Sequence, residues 1–351
     1  MPIHPSPLRG QRIAIVGDMP TQEEEFCGQP FSDQAGQELT RILSQAGIAR
    51  KDCYLTYVFK ERPRDGNGSS VEDLFEICTS KRDSDAADHP PLALGKYLPA
   101  TQVGQIESLH RELELLAPHV VVLLGSVPSW AVLRRASFLS VRGTVCPLPT
   151  GKAIPTFSHR EVMRSWSQRP VMIVDLMKAR RQAAFPEVRR PAREIWINPD
   201  VWDLYQWAHW HLPGAEVLSY DIETRHGQIT EIGFSTAPTN GLVVPFVDTS
   251  APAFSYWRTH AEEVQAWKFV RAMLQSNLTK LAQNGLYDLQ WLFRRAKLQP
   301  RGPFEDTMIL HHAMQPEMQK GLGFLGSIYT EEPAWKLMRK RSSDELEKAD
   351  E

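Results

Sequence analysis

Cysteine is scarce in this chain. Its 351 residues include four, Cys27, Cys53, Cys78 and Cys146, which are scattered and form no CxxC pair. That argues against a zinc ribbon and points to small core residues in a reducing compartment. Long apolar runs are missing, and no apolar leader opens the chain, so a cytoplasmic setting without a membrane is expected. An excess of one charge is missing too. The formal net charge is −2, so there is no global basic field and any nucleic-acid surface must be local. No internal repeat is found. What remains is a chain that is 42% apolar, globular, and long enough for two domains.

Arg12 to Pro20, RIAIVGDMP, reads as a buried strand ending in a turn. QAGQELTRILSQAGI follows as a helix, with Leu39, Ile42 and Leu43 on its apolar face. DCYLTYVF is a second strand, IESLHRELELLA a helix, and PHVVVLLG (Pro118 to Gly125) a third strand. Helices alternating with continuously apolar strands predict a parallel sheet covered on both faces. Pro63 to His89 is polar and reads as a surface excursion. Arg180 to Glu194 is basic, aperiodic and contains prolines. It predicts a linker over 181–194, between a first domain of 1–180 and a second of 195–351. In the second, EVLSYDIET and ITEIGFS form a hairpin about Gly227, and GLVVPF is a third strand. EVQAWKFVRAMLQS is an amphipathic helix, TKLAQN a strand and LYDLQWLFRRA a helix.

Asp221 and Glu223 stand two apart in DIET, so on a strand they share a face. Two like charges this close repel, and a divalent cation such as magnesium or manganese would relieve the repulsion. A solvated strand edge is the alternative. Downstream, LAQNGLYDLQWL sets Asn284 at a strand end and Asp288 in the first turn of a helix. Asp288 is either a further ligand or a plain helix N-terminal charge.

Taken together, these motifs resemble the DEDD-type 3′→5′ exonucleases, in particular the proofreading domain of family-A DNA polymerases and their phage relatives. DIET resembles the first exonuclease motif and NGLYD the second. EDTMILHHAMQPEMQKGLGFLGSIYTEEPAWK resembles the approach to the third. The resemblance spans about Glu216 to Lys336. It implies an RNase-H-like fold with a mixed sheet flanked by helices. It also implies that Asp221, Glu223 and Asp288 hold two Mg²⁺ or Mn²⁺ ions, and that a single-stranded DNA 3′ end is the substrate. A polymerase domain or subunit is the implied partner. Asp306 is expected to cap a helix. No YxxxD or HxxxD follows Lys336, and nothing in the spacing of Asp344 or Asp350 supports them as substitutes. The chain is therefore expected to be a fragment that ends before the third motif. GLGFLGSIY is expected to be core.

The first half carries GDMP with QPFSDQAGQ, then LTYVFKERP, LLGSVPSWAVL, RGTV, PTFSHREVMR and DLMKAR. In this order, from about Ile13 to Arg181, they resemble the uracil-DNA glycosylase superfamily, especially family 4. That family flips a base into a pocket. The resemblance implies that Phe31 stacks on the base, and Asp18 stands where the family usually has Glu. Tyr57 takes the place of the pyrimidine-reading Asn, and a phenol lacks an amide's paired donor and acceptor. Ser158 and His159 stand in the His-Pro motif. The cluster cysteines are not matched, with Glu61 after Lys60 where a Cys is expected, so no iron–sulfur cluster is expected. These departures favour a degenerate glycosylase fold that binds DNA over one that excises uracil. Arg62, Arg142, Lys152, His159, Arg160 and Arg164 lie in or beside the motif loops. They offer a local phosphate-contacting surface or are solvated loop charges. Asn284 is a further candidate nucleic-acid contact.

Overall fold

The computed structural model describes residues 10–61, 78–81, 90–92, 95–135 and 137–333. They fall into two compact units, one of residues up to Arg190 together with those from Gly323 onward, the other Pro191–Leu322.

In the first unit the described elements run β1 (Ile13–Gly17), α1 (Gln22–Cys27), α2 (Gln34–Gln45), β2 (Cys53–Tyr57), α3 (Ala100–Leu116), β3 (Val120–Leu124), α4 (Ser126–Leu133), β4 (Cys146–Pro147), β5 (Lys152–Thr156), α5 (His159–Arg164) and α6 (Arg169–Gln182). The sheet order is β2-β1-β3-β5-β4. All neighbours are parallel except the two-residue β4, which runs antiparallel along the edge. Side chains alternate along a strand, so β1 feeds two cores. Ile13 and Ile15 pack with Leu39, Ile42 and Leu43 on one face, and Ala14 and Val16 pack with Ile106, Leu109 and Trp130 on the other. That explains the continuous apolar strands.

The second unit runs β6 (Glu194–Trp196), α7 (Val201–His211), β7 (Val217–Arg225), β8 (Gln228–Ser235), β9 (Asn240–Pro245), α8 (His260–Leu274), β10 (Thr279–Ala282), α9 (Leu286–Trp291), β11 (Phe304–Asp306) and α10 (Thr307–Met314). A single π-type turn, Leu292–Ala296, extends α9. The sheet is mixed, in the order β11-β10-β7-β8-β9-β6. β7, β8 and β9 are antiparallel neighbours, and β10 and β11 run parallel to β7. This is the RNase-H-like arrangement the exonuclease resemblance implies. His226 and Gly227 turn the β7–β8 hairpin with φ of 49° and 77°. Leu218, Tyr220 and Ile222 of β7 pack in the core with Phe269 of α8 and Trp207 of α7.

The last described helix, α11 (Leu322–Tyr329), packs with the first unit. Buried Arg142 donates to Asp175 at 2.8 Å and to the Ser327 hydroxyl. Buried Lys178 donates to the carbonyls of Gly143, Ser327 and Thr330. Within GLGFLGSIY, Leu325 is buried, whereas Leu322 and Tyr329 are exposed. Cys53 and Cys78 are buried, but Cys27 is exposed at the end of α1 and is not a core residue. Most of the expected excursion from Pro63 to His89, and all of 334–351 with Asp344 and Asp350, lie outside the described residues.

Candidate functional site

In the second unit the acid pair sits on the face of β7 opposite the core. Asp221 is exposed and Glu223 partly buried, alternating along the strand with the core residues Tyr220 and Ile222. The chain brings Asp288 to them through α9. Asp306 caps α10 through Met308 N at 2.8 Å, as expected. Its two oxygens also accept from Asn284 N at 3.1 Å and Gly285 N at 2.8 Å, which pins the loop entering α9. Gly285 is required there, because a Cβ would come within 2.7 Å of Ala282 and Phe304. Asn284 takes a left-handed φ of 56°, which asparagine tolerates, and is exposed. Thus held, Asp288 Oδ1 accepts from Ile222 N at 3.0 Å, the amide between Asp221 and Glu223. Asp288 is 2% exposed. Burial, together with the charges of Asp221 and Asp306, pushes its carboxyl up to about 6 against the pull of the Ile222 N–H. Beside it the Tyr287 hydroxyl meets Thr224 Oγ1.

One acid beside the site does not stand out in the sequence alone. Glu231 pairs with Glu223 across the hairpin, and burial and the Glu223 charge raise its carboxyl. The register of a hairpin closed at Gly227 was the signal that could have found it. Among the described residues no three His, Cys, Asp or Glu side chains form a ready-made metal cage. The donor set is nonetheless all carboxylate oxygen and mutually repelling, which fits a hard divalent cation in its chemistry.

In the first unit the motif residues gather at the C-terminal ends of β1, β2 and β5. Phe31 is buried, with φ of 53°. Its ring lies 4.6 Å from Tyr57 and 5.1 Å from His159, centroid to centroid. Gly17 permits this, since a Cβ there would come within 2.9 Å of both the Phe31 and Tyr57 rings. The Tyr57 hydroxyl accepts from Phe31 N at 2.9 Å and donates to Glu24 Oε1 at 2.7 Å. Burial, and the Glu24 charge beside it, raise the phenol well above its ordinary value. Glu24 is fully buried, caps α1 through Thr21 and pairs with Arg160 at 3.1 Å. Glu24 is a second residue that does not stand out in the sequence as part of a site. Its signal is the Thr21-x-x-Glu24 capping box.

Two groups in this cluster lack partners. Asp18 Oδ1 and both ring nitrogens of His159 are buried without a hydrogen bond. Burial pushes Asp18 up to about 7, partly offset by Arg160. Burial, with Arg160 and Arg50 adding to it, lowers His159 well below its usual range, so the imidazole stays neutral. Ser158 caps α5.

Among the described residues, most of the cations expected to form a basic surface in the first unit are buried or turned inward. Arg142 is 4% exposed and paired with Asp175, so it cannot reach a phosphate. Lys152 is fully buried, and its ammonium is spent on the carbonyls of Gln182, Phe185 and Glu187 and the Gln182 side chain. Arg160 is partly buried and turned inward, donating to Met19 O and Glu24. Arg164 is exposed, and Arg62 lies outside the described residues.

The profile of the uracil DNA glycosylase superfamily matches residues 5–188. The chain belongs to that superfamily. Among its relatives, the type-4 uracil-DNA glycosylase of Thermotoga maritima is 29% identical over 174 residues, 48% of this chain and 76% of that protein. The type-4 enzyme of Archaeoglobus fulgidus is 32% identical over 113 residues, 32% of this chain and 43% of that one. Among solved structures, Trypanosoma brucei RNase D in complex with RNA aligns with 38% of this chain and 46% of its own, at 17% identity and a TM-score of 0.30.

Proposed function

We propose that the second unit hydrolyses single-stranded DNA from the 3′ end with the help of a divalent metal, while the first unit, a glycosylase fold, binds or positions the DNA. The supporting observation is the Asp288–Ile222 hydrogen bond, which ties a helix carboxylate to the strand backbone between the residues Asp221 and Glu223. Asp221, Glu223 and Asp288 would hold Mg²⁺ or Mn²⁺. When bound, the metal supplies an activated water and neutralises charge at the leaving 3′ oxygen. The chain's own part is to orient these oxygens. β7 fixes two of them in register, and Asp306 fixes the loop that delivers the third. A proofreading role beside a polymerase belongs to this reading. The test is degradation of 3′-labelled and 5′-labelled oligonucleotides with Mg²⁺. Shortening from the 3′ end is expected, and Asp221→Ala should slow it by about 10²-fold or more. Full activity in Asp221→Ala rejects the reading.

A second reading, base excision by the first unit, is favoured by the buried and unpartnered Asp18 and His159. Against it, Tyr57 covers Phe31, and its hydroxyl is already committed to Glu24. A uracil-containing oligonucleotide decides between them. Alkali-labile sites that vanish in Asp18→Asn support excision, and their absence at high protein concentration leaves DNA binding alone.

A further inference from the structure

An open pocket of about 400 Å³ lies in the second unit between α8 and the π-type turn after α9. Lys268 and Arg271 line one wall, Arg295 lines the other, and Trp267, immediately before Lys268 in sequence, lines the pocket with them. All three cations are exposed. Among the described residues none of them forms a salt bridge, and no carboxylate lines the pocket. The helix explains this. Lys268 and Arg271 share a face one turn apart, and the positions four residues before them are Val264 and Trp267 rather than acids. Three like charges around one cavity repel each other and leave a local positive field on a chain whose net charge is −2. Trp267 stacks on Phe246 with centroids 4.0 Å apart, so the indole offers the pocket its edge or its far face. Arg295 reaches within 3.3 Å of where a Cβ on Gly227 would stand, at the turn of the hairpin that carries Asp221 and Glu223.

We propose that this pocket is a binding subsite for single-stranded nucleic acid. Lys268, Arg271 and Arg295 neutralise successive backbone phosphates, and Trp267 gives a base an apolar surface. A free phosphate carries about two charges at most at neutral pH, fewer than the three the pocket supplies. A strand brings one charge per phosphate and can meet both walls. The proposal rests on the nucleic-acid reading above for its choice of polymer, but not on the three carboxylates.

The test is fluorescence anisotropy of a labelled single-stranded deoxyoligonucleotide with the full chain, in EDTA, across a NaCl series. The triple variant Lys268→Gln, Arg271→Gln, Arg295→Gln is expected to bind at least about tenfold more weakly at low salt. Its slope of log affinity against log salt should fall by about 2, from roughly 0.7 per phosphate contact. Arg271→Lys with Arg295→Lys should keep the wild-type slope, which separates lost charge from lost folding. Trp267→Leu should weaken binding with the slope unchanged. A triple variant with wild-type affinity and slope overturns the proposal. So does displacement of the oligonucleotide by millimolar inorganic phosphate at fixed ionic strength, which would make the pocket a phosphate site. Binding that depends on these cations in a chain that never hydrolyses DNA sinks the nuclease reading and leaves this one standing.

Discussion

Asp18 shows how a single residue can couple the first unit to pH. In the unfolded chain an aspartate titrates near pH 4, as about 3.9 is its ordinary value. Folded, Asp18 titrates at about 7 because burial disfavours its charge. Between these values the folded state keeps a proton that the unfolded chain has released. The stability this group carries is therefore complete below about pH 4 and is lost as pH rises through about 7. Asp18→Asn has no charge to bury. It is expected to leave the melting temperature unchanged at pH 4 and to raise it at pH 8, where the gain in stability is on the order of 4 kcal/mol at most. Melting curves at the two pH values check this, and a variant whose pH profile runs parallel to the wild type contradicts it. Arg142 makes the opposite point. Its type suggests a surface charge, yet Asp175, thirty-three residues on in the chain, buries it as an ion pair. Arg142→Ala leaves that carboxylate uncompensated and is expected to cost about 3–5 kcal/mol.

Among the elements, legibility in the sequence followed local pattern. VVVLL and the DIET hairpin were readable because a buried strand and a Gly-centred turn declare themselves within ten residues. β6 was not, because Glu194–Trp196 is three residues long and exists only through its parallel pairing with β9. α7 was passed over, although Asp200 caps it and Leu204 and Trp207 are buried. Its exposed Trp202, Tyr205 and Trp210 blur the apolar stripe. In the candidate sites, the residue types of Asp221, Glu223 and Asp288 were legible, whereas Glu24 and Glu231 depend on partners far along the chain or across a strand pair. α11 is the extreme case. Nothing local says that it packs with the first unit, where it satisfies Arg142 and Lys178. Leu325→Ala in this helix is expected to cost about 2–5 kcal/mol.

At the scale of the whole molecule, the core of the second unit is separate from those on the two faces of the first unit's sheet, which implies two cooperative units. Calorimetry is expected to resolve two transitions, with Leu325→Ala lowering one and Ile232→Ala the other. A single transition displaced alike by both variants contradicts that division. The neutral total charge places any affinity for nucleic acid in local features, and the second unit holds both the acid face and the cationic pocket. A nuclease role for the second unit requires that the acid face attract cations. Titration of the chain with Mn²⁺, followed by the loss of free-ion paramagnetic resonance signal, measures this without requiring turnover. Saturable binding is expected, at least about tenfold weaker in Asp221→Ala and in Asp288→Asn. Equal binding by the wild type and both variants would contradict the account.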